Sequence, residues 1–231
     1  MKFITVLFRK HKKHLPACLE GTKFGEFYHY GFMIFISAWV FQGIRIMNWR
    51  EATLKVALTI IPTTILILFG VHFILAFLIA HTINFAINGQ LFAMYTHMGV
   101  TNVTARHFLN MTEEIAKTCS TKKCLNAAIA YGSLSRGNFK STSDIDLRLI
   151  PAKGELNWWG CAFFALWLRT KYFFKGYPLD LYVYDPVVVI KRMRTDELPV
   201  MLFERDGYMK EWYPERVEYA EFIEIFTKSN L

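Results

Sequence analysis

"YGSLSRGNFKSTSDIDLRLI", Tyr131 to Ile150, ends one apolar run in Gly-Ser and opens another with two aspartates one residue apart. The run before it, Cys124 to Tyr131, reads as a buried strand. Glycine at its end lets the backbone come close to a phosphate, and a following helix N-terminus turns N–H groups toward an anion. The Ser133 hydroxyl suits a phosphate oxygen and Arg136 adds positive charge. A Gly-Ser turn alone carries little weight, because such turns are common.

The aspartates add weight. In Asp144 to Ile150 the residues alternate, with Ile145, Leu147 and Leu149 on one face and Asp144, Asp146 and Arg148 on the other. Residues i and i+2 of a strand share a face, so Asp144 and Asp146 project side by side. Carboxylates this close repel each other unless a cation sits between them. Oxygen ligands suit Mg²⁺, and a pair of metal ions stabilises in-line displacement at phosphorus. A third acid, Asp180, lies between Leu179 and Leu181 in the strand-like run Leu179 to Asp185. On a strand next to the Asp pair it completes a metal site or accepts a proton from an attacking hydroxyl.

Gly132-Ser133, Arg136-Gly137 and Ser143-Asp144-Ile145-Asp146-Leu147, with a later strand aspartate, resemble the nucleotidyltransferase superfamily that includes DNA polymerase β. The local form is most similar to the minimal and kanamycin nucleotidyltransferase-like enzymes. The likeness covers about residues 110–206. It implies an α+β fold, a small mixed sheet with helices on one side. It also implies Mg²⁺-dependent transfer of a nucleoside monophosphate from an NTP. Carried onto this chain, it gives Gly132 and Ser133 to the triphosphate, Asp144 and Asp146 to two Mg²⁺ ions, and Asp180 as third carboxylate. Arg136 and Arg148 join the nucleotide-binding set; Arg148 shares the strand face of Asp146. Lys140, Arg169, Lys171 and Lys175 read instead as a solvated or lipid-facing surface.

The resemblance does not account for the first part of the chain. Of 231 residues 53% are hydrophobic, mean hydropathy is +0.22 and net charge is +8. The apolar excess is local, and the basic balance suits anionic partners. Residues 1–27 are polar and basic and are expected to stay on the cytoplasmic side. Residues 28–88 form a membrane region with two apolar blocks, Tyr30 to Ile44 and Ala52 to Ile87. The second carries no Asp, Glu, Lys or Arg between Val56 and Ala80. Pro62 can kink it, with Thr63 and Thr64 placed to satisfy freed backbone groups. The expected topology is a transmembrane helical hairpin of block one against block two, with both chain ends inside. This puts Arg45, Arg50 and Lys55 at the outer turn, against the positive-inside rule. An in-plane first block is the alternative. His72 and His81 read as neutral histidines bonded to a neighbouring helix.

Residues 89–109 read as a connector and 110–231 as the nucleotidyltransferase-like domain. Asn110 to Lys123 reads as a helix capped by Asn110 or Thr112, and Glu155 to Phe174 as another. The aromatics of the latter, Trp158, Trp159, Phe163, Phe164, Trp167, Tyr172 and Phe173, suit a core face and a membrane interface equally. The stretch is too apolar to prefer nucleic acid. Cys18, Cys119, Cys124 and Cys161 match no zinc pattern and read as reduced packing residues. Two Asn-x-Thr matches, at Asn102 and Asn110, carry little meaning on a cytoplasmic face.

The leading expectation is a membrane-anchored nucleotidyltransferase in the cell membrane, catalytic domain inside. Its partners are an NTP, the bilayer and an acceptor such as a lipid-linked envelope precursor, with a homo-oligomer or a membrane-protein partner also open. Two other classes stand beside it. One is a non-catalytic chain of the same fold, acting as an interaction or antitoxin-like protein. The other is a metal-dependent glycosyltransferase, whose Asp-x-Asp serves a sugar nucleotide; the domain is short for that fold.

Overall fold

The computed structural model describes residues 22, 38–88, 91, 103–132, 139–141, 143–177, 179–193 and 197–231. The fold is α+β, with a five-stranded mixed sheet and helices.

The strands are β1 (Leu125–Tyr131), β2 (Ile145–Pro151), β3 (Leu179–Val183), β4 (Val200–Glu204) and β5 (Val217–Glu218), in the order β3-β2-β1-β4-β5. β1 runs antiparallel to β2 and β4; β2–β3 and β4–β5 are parallel pairs. The alternation read in β2 is met: Ile145, Leu147 and Leu149 enter the main core, while Asp146 and Arg148 point to the other face.

The main core lies between one face of the sheet and three helices: α3 (Ala105–Ser120), α4 (Glu155–Lys175) and α6 (Tyr219–Asn230). α3 supplies Phe108, Met111, Ile115 and Cys119 at helical spacing, and α4 supplies Cys161, Phe164, Ala165, Leu168 and Tyr172. The other face is covered by short α5 (Pro186–Arg192), Met209 and Tyr213, which form a smaller cluster with Tyr182 and Tyr184.

α3 starts five residues before the expected Asn110. Its cap is Thr104, whose hydroxyl accepts from the His107 N–H at 3.2 Å. Thr112 is fully buried inside the helix and shares a 3.0 Å hydrogen bond with the Tyr219 hydroxyl. The apolar spacing from Phe108 sets this start, and it outweighs the acidic pair Glu113-Glu114 that suggested a later first turn.

The helical hairpin differs from the expected one. Both arms come from the second apolar block: α1 (Trp49–Leu68) and α2 (Phe73–Ile87), joined by a tight turn through Gly70, φ +85°. Residues 30–37 of the first block lie outside the described residues, and 38–41 are helical. Pro62 sits inside α1, and Thr63 and Thr64 hydroxyls donate to the carbonyls of Thr59 and Ile60. The two arms meet through small and polar residues. Thr59 and Thr63 of α1, with Ala76, Ala80 and Asn84 of α2, are buried, and Asn84 Nδ2 donates to Thr59 Oγ1 at 2.9 Å. Large apolar side chains face outward: Ile60, Ile61, Ile65, Leu68, Phe69, Phe73, Ile74 and Ile83 are all exposed. Among the described residues α1 is the one helix long and apolar enough to cross a membrane, and α2, at 15 residues, is shorter.

Arg50 and Lys55 are not at the outer turn. They lie at the base of the hairpin, which is fastened to β3 and α4. Asn48 Nδ2 donates to the Val183 carbonyl at 2.8 Å, and Glu51 accepts from the Val183 N–H at 2.9 Å. Two side chains thus satisfy the open edge of β3 where a further strand would otherwise pair. Glu51 also pairs with Arg169 at 2.6 Å, both buried. Arg169 is therefore an interior residue, not part of a solvated surface. Arg50 pairs with Glu155 and lies between the rings of Trp49 and Trp158, 4.5 and 4.7 Å from their centroids. Lys171 and Lys175 both reach Glu114, at 2.8 and 2.7 Å.

Candidate active site

β1 turns at Gly132, where φ is +76° and a side chain is disfavoured. A Cβ at this position would lie 2.1 Å from Asp146 Oδ2, so the backbone of Gly132 packs directly against that carboxylate. Asp146 faces Tyr131 across the β1–β2 pair and Asp180 across the β2–β3 pair. The register therefore puts Tyr131, Asp146 and Asp180 in one row across three strands. Asp144 precedes β2. The turn before it is held by Ser143, whose Oγ accepts from the Lys140 N–H at 2.9 Å, and by the Val103 N–H on the Ser141 carbonyl at 2.7 Å.

Of the residues expected at the site, Gly132, Asp144, Asp146, Arg148 and Asp180 come together. Ser133 and Arg136 lie outside the described residues. Burial pushes the Asp146 carboxyl up to about 8, helped by the charges of Asp144 and Asp180 and opposed by Arg148.

Arg148 has a larger part than the sequence reading gave it. It is 7% exposed, and its Nη2 lies 3.0 Å from Asp180 Oδ2 and 3.8 Å from Asp146 Oδ1. Nη1 donates to the carbonyls of Leu147 and Asp180, both at 2.9 Å. Its guanidinium lies over Tyr131, Tyr182 and Tyr184, 4.7 to 6.0 Å from their centroids. Burial works against its charge; Asp180, Tyr131 and Asp146 more than restore it. Its Nε is buried with no hydrogen-bond partner among the described residues. The tyrosine cage was not read from the sequence. Tyr182 and Tyr184 follow Asp180 at i+2 and i+4, and that spacing was the available signal.

Among the described residues no three His, Cys, Asp or Glu groups stand ready-formed as a metal cage, and Arg148 is paired with Asp180. The donor chemistry nevertheless fits Mg²⁺. Asp144, Asp146 and Asp180 are oxygen donors crowded until one resists ionisation, a state that a divalent cation relieves. Cys119, Cys124 and Cys161 are free thiols, and burial pushes Cys119 up to about 12, which suits a packing role.

The chain matches no protein-family model, no curated protein and no solved structure.

Proposed function

We propose that this chain is a membrane-anchored nucleotidyltransferase, moving a nucleoside monophosphate from an NTP to an acceptor at the bilayer. The observation that carries the reading is the row Asp146–Asp180 with Asp144 beside it, packed against a glycine turn with no room for a side chain. In this reading the fold is that of the nucleotidyltransferases. Asp144 and Asp146 would hold Mg²⁺, which when bound neutralises the triphosphate and the charge developing on the leaving pyrophosphate. Gly132 lets the triphosphate approach the backbone, with Ser133 and Arg136 assigned to it by resemblance. Arg148 Nε supplies a donor to a phosphate oxygen. Asp180 orients the acceptor hydroxyl or takes its proton as oxygen attacks the α-phosphorus in line and pyrophosphate departs.

The anchor is the α1–α2 hairpin. Small and polar residues fill its interior and large apolar ones cover its outside, the reverse of a helix pair packed in water. α1 leaves the catalytic domain and α2 returns to it, so in this reading the hairpin enters the bilayer and comes back. Arg45, Arg50 and Lys55 then fall on the domain side, in keeping with the positive-inside rule. Exposed Phe163, Trp167 and Phe174 of α4 suit the headgroup level of the same bilayer.

Purified full-length protein in detergent, given Mg²⁺ and labelled NTPs with a membrane-lipid extract, is expected to release pyrophosphate. A folded Asp146→Asn variant is expected to release none. Pyrophosphate release by that variant at the wild-type rate would reject the reading. Membrane fractionation resistant to salt and carbonate washing tests the anchor; recovery in the soluble fraction rejects it.

One observation favours a second reading, a non-catalytic interaction protein of the same fold: Arg148, a residue of the chain itself, is paired with Asp180. Absence of Mg²⁺ and NTP binding, with a stably co-purifying membrane protein, would establish that reading instead.

A further inference from the structure

A cavity of about 220 Å³ opens at the base of the hairpin, between α1, α2 and the segment that precedes α1. Its inner wall is polar: Gln42, Lys55 and Asn84 line it and are at most 3% exposed. Its outer wall is apolar, with Val56, Ile60 and Phe77 all exposed. Lys55 lies six residues along α1 from Trp49, a rise of roughly 9 Å. Asn84 lies three residues before the end of α2 at Ile87. The cavity is thus one to two turns from the α+β domain. In the membrane reading that is the level where headgroups meet acyl chains.

Lys55 is a buried cation without an anion. Its Nζ donates to the Gln42 carbonyl, and among the described residues it has no other hydrogen bond and no ion pair. The nearest acid in the helix, Glu51, is already engaged, by Arg169 at 2.6 Å and by the Val183 N–H at 2.9 Å. Buried charges are ordinarily paired, so this one calls for a partner from outside the chain. Gln42 adds a second sign. It is held at φ +45°, a left-handed conformation unfavourable for any residue with a side chain. Its Nε2 donates to the His81 carbonyl at 2.9 Å, and its Oε1 is buried with no partner among the described residues.

The walls limit the ligand. The volume is below the roughly 300 Å³ at which drug-sized sites begin, which suits a small headgroup and not a nucleotide. The exposed apolar rim suits hydrocarbon. Basic pockets between membrane helices take anionic headgroups. We infer that this cavity binds the phosphate of an anionic membrane lipid, with Lys55 as its counter-charge and the acyl chains along Val56, Ile60 and Phe77. The inference rests on the membrane reading of the hairpin and not on catalysis.

The test is native mass spectrometry of delipidated full-length protein in neutral detergent. The probes are phosphatidylglycerol, phosphatidylcholine and inorganic phosphate, each titrated alone. Wild type is expected to bind one phosphatidylglycerol about tenfold or more tighter than phosphatidylcholine, as a charge-assisted hydrogen bond would give. Lys55→Met is expected to bring the two lipids level. Lys55→Gln keeps a donor for the Gln42 carbonyl, and is expected to do the same should Lys55→Met not fold. Arg45→Gln removes an exposed cation just before α1 and is expected to leave the preference intact. Equal binding of the two lipids by wild type would overturn the site, as would a preference that survives in the folded Lys55 variants. A preference lost equally in Arg45→Gln would also overturn it, since that reports general attraction to basic surface. Inorganic phosphate bound as tightly as phosphatidylglycerol would overturn a lipid as the ligand. Protein that stays in solution without detergent and binds no lipid would overturn the membrane reading as well.

Discussion

Asp180 stands directly opposite Asp146 on neighbouring parallel strands, and Arg148 spans the pair, 3.0 Å from one carboxylate and 3.8 Å from the other. The Arg148 guanidinium keeps like charges together, the part also proposed for a divalent cation at this site. The arrangement predicts competition between metal and Arg148 for Asp180.

Removing Arg148 should expose that competition. Arg148→Met leaves two carboxylates facing each other in a largely buried site, and breaking one side of such a set costs about 3–5 kcal/mol. Thermal unfolding at pH 8 is expected to fall sharply without divalent ions and to recover in part with Mg²⁺. A variant as stable as wild type in both conditions would contradict the role given to Arg148.

The raised Asp146 carboxyl gives a pH dependence with a definite sign. In the unfolded chain an aspartate titrates near 3.9; in the fold this one titrates at about 8. The fold thus prefers the protonated form. This contribution is complete below about pH 4 and is lost as pH rises through about 8. Asp146→Asn removes the penalty. With about 1.4 kcal/mol per pK unit and roughly 2–4 °C per kcal/mol, metal-free variant should melt several degrees above wild type at pH 8.5. The gap should shrink as pH falls and close near pH 4, and an unchanged difference across that range would contradict the shift. Mg²⁺ binding by wild type is expected to release a proton below pH 8 and to tighten as pH rises.

Gly132 is constrained twice, by φ +76° and by Asp146 Oδ2 at 2.1 Å from any added Cβ. The backbone conformation alone costs Gly132→Ala about 1–2 kcal/mol, and the clash displaces the carboxylate as well. Activity per folded molecule is expected to fall by more than tenfold, with modest loss of stability. Full activity in this variant would show that the turn does not shape the site.

Glu51 and Arg169 join the hairpin to the α+β domain by a buried ion pair. Glu51→Gln leaves Arg169 without its anion and is expected to cost several kcal/mol, about 3–5. The double variant Glu51→Leu with Arg169→Met should be closer to wild type than either single change. Thermal unfolding reads the effect as a lower melting temperature. Additive losses would indicate that the two residues do not act as a pair.

Much of the domain was legible because its strands alternate. β1, β2, β3 and α4 fall within two residues of their expected bounds, since apolar periodicity and Gly or Pro punctuation mark both ends. Asp144, Asp146 and Asp180 converge because i and i+2 share a face and β2 pairs in register with β3. The hairpin was misread. An apolar run of this length gives little internal sign of where it folds back; the turn falls at Gly70. Arg169 looked like surface charge because sequence spacing cannot show that Glu51 receives it, and Arg50 and Lys55 looked like outer-turn residues because it cannot show their contacts with Glu155 and the Gln42 carbonyl. The cleft lined by Met193, Trp212 and Tyr213 was not legible, since it gathers residues far apart in the chain.

The convergence of acids on a divalent cation is tested most directly by metal binding itself, which needs no acceptor. Mn²⁺ titrated into the full-length protein at pH 8, followed by the loss of the free-ion electron paramagnetic resonance signal, reads it without turnover. Expected is saturable binding by wild type that weakens by about a hundredfold or more in folded Asp146→Asn and is competed by Mg²⁺. No binding by wild type, or equal binding by the variant, would contradict the proposed site.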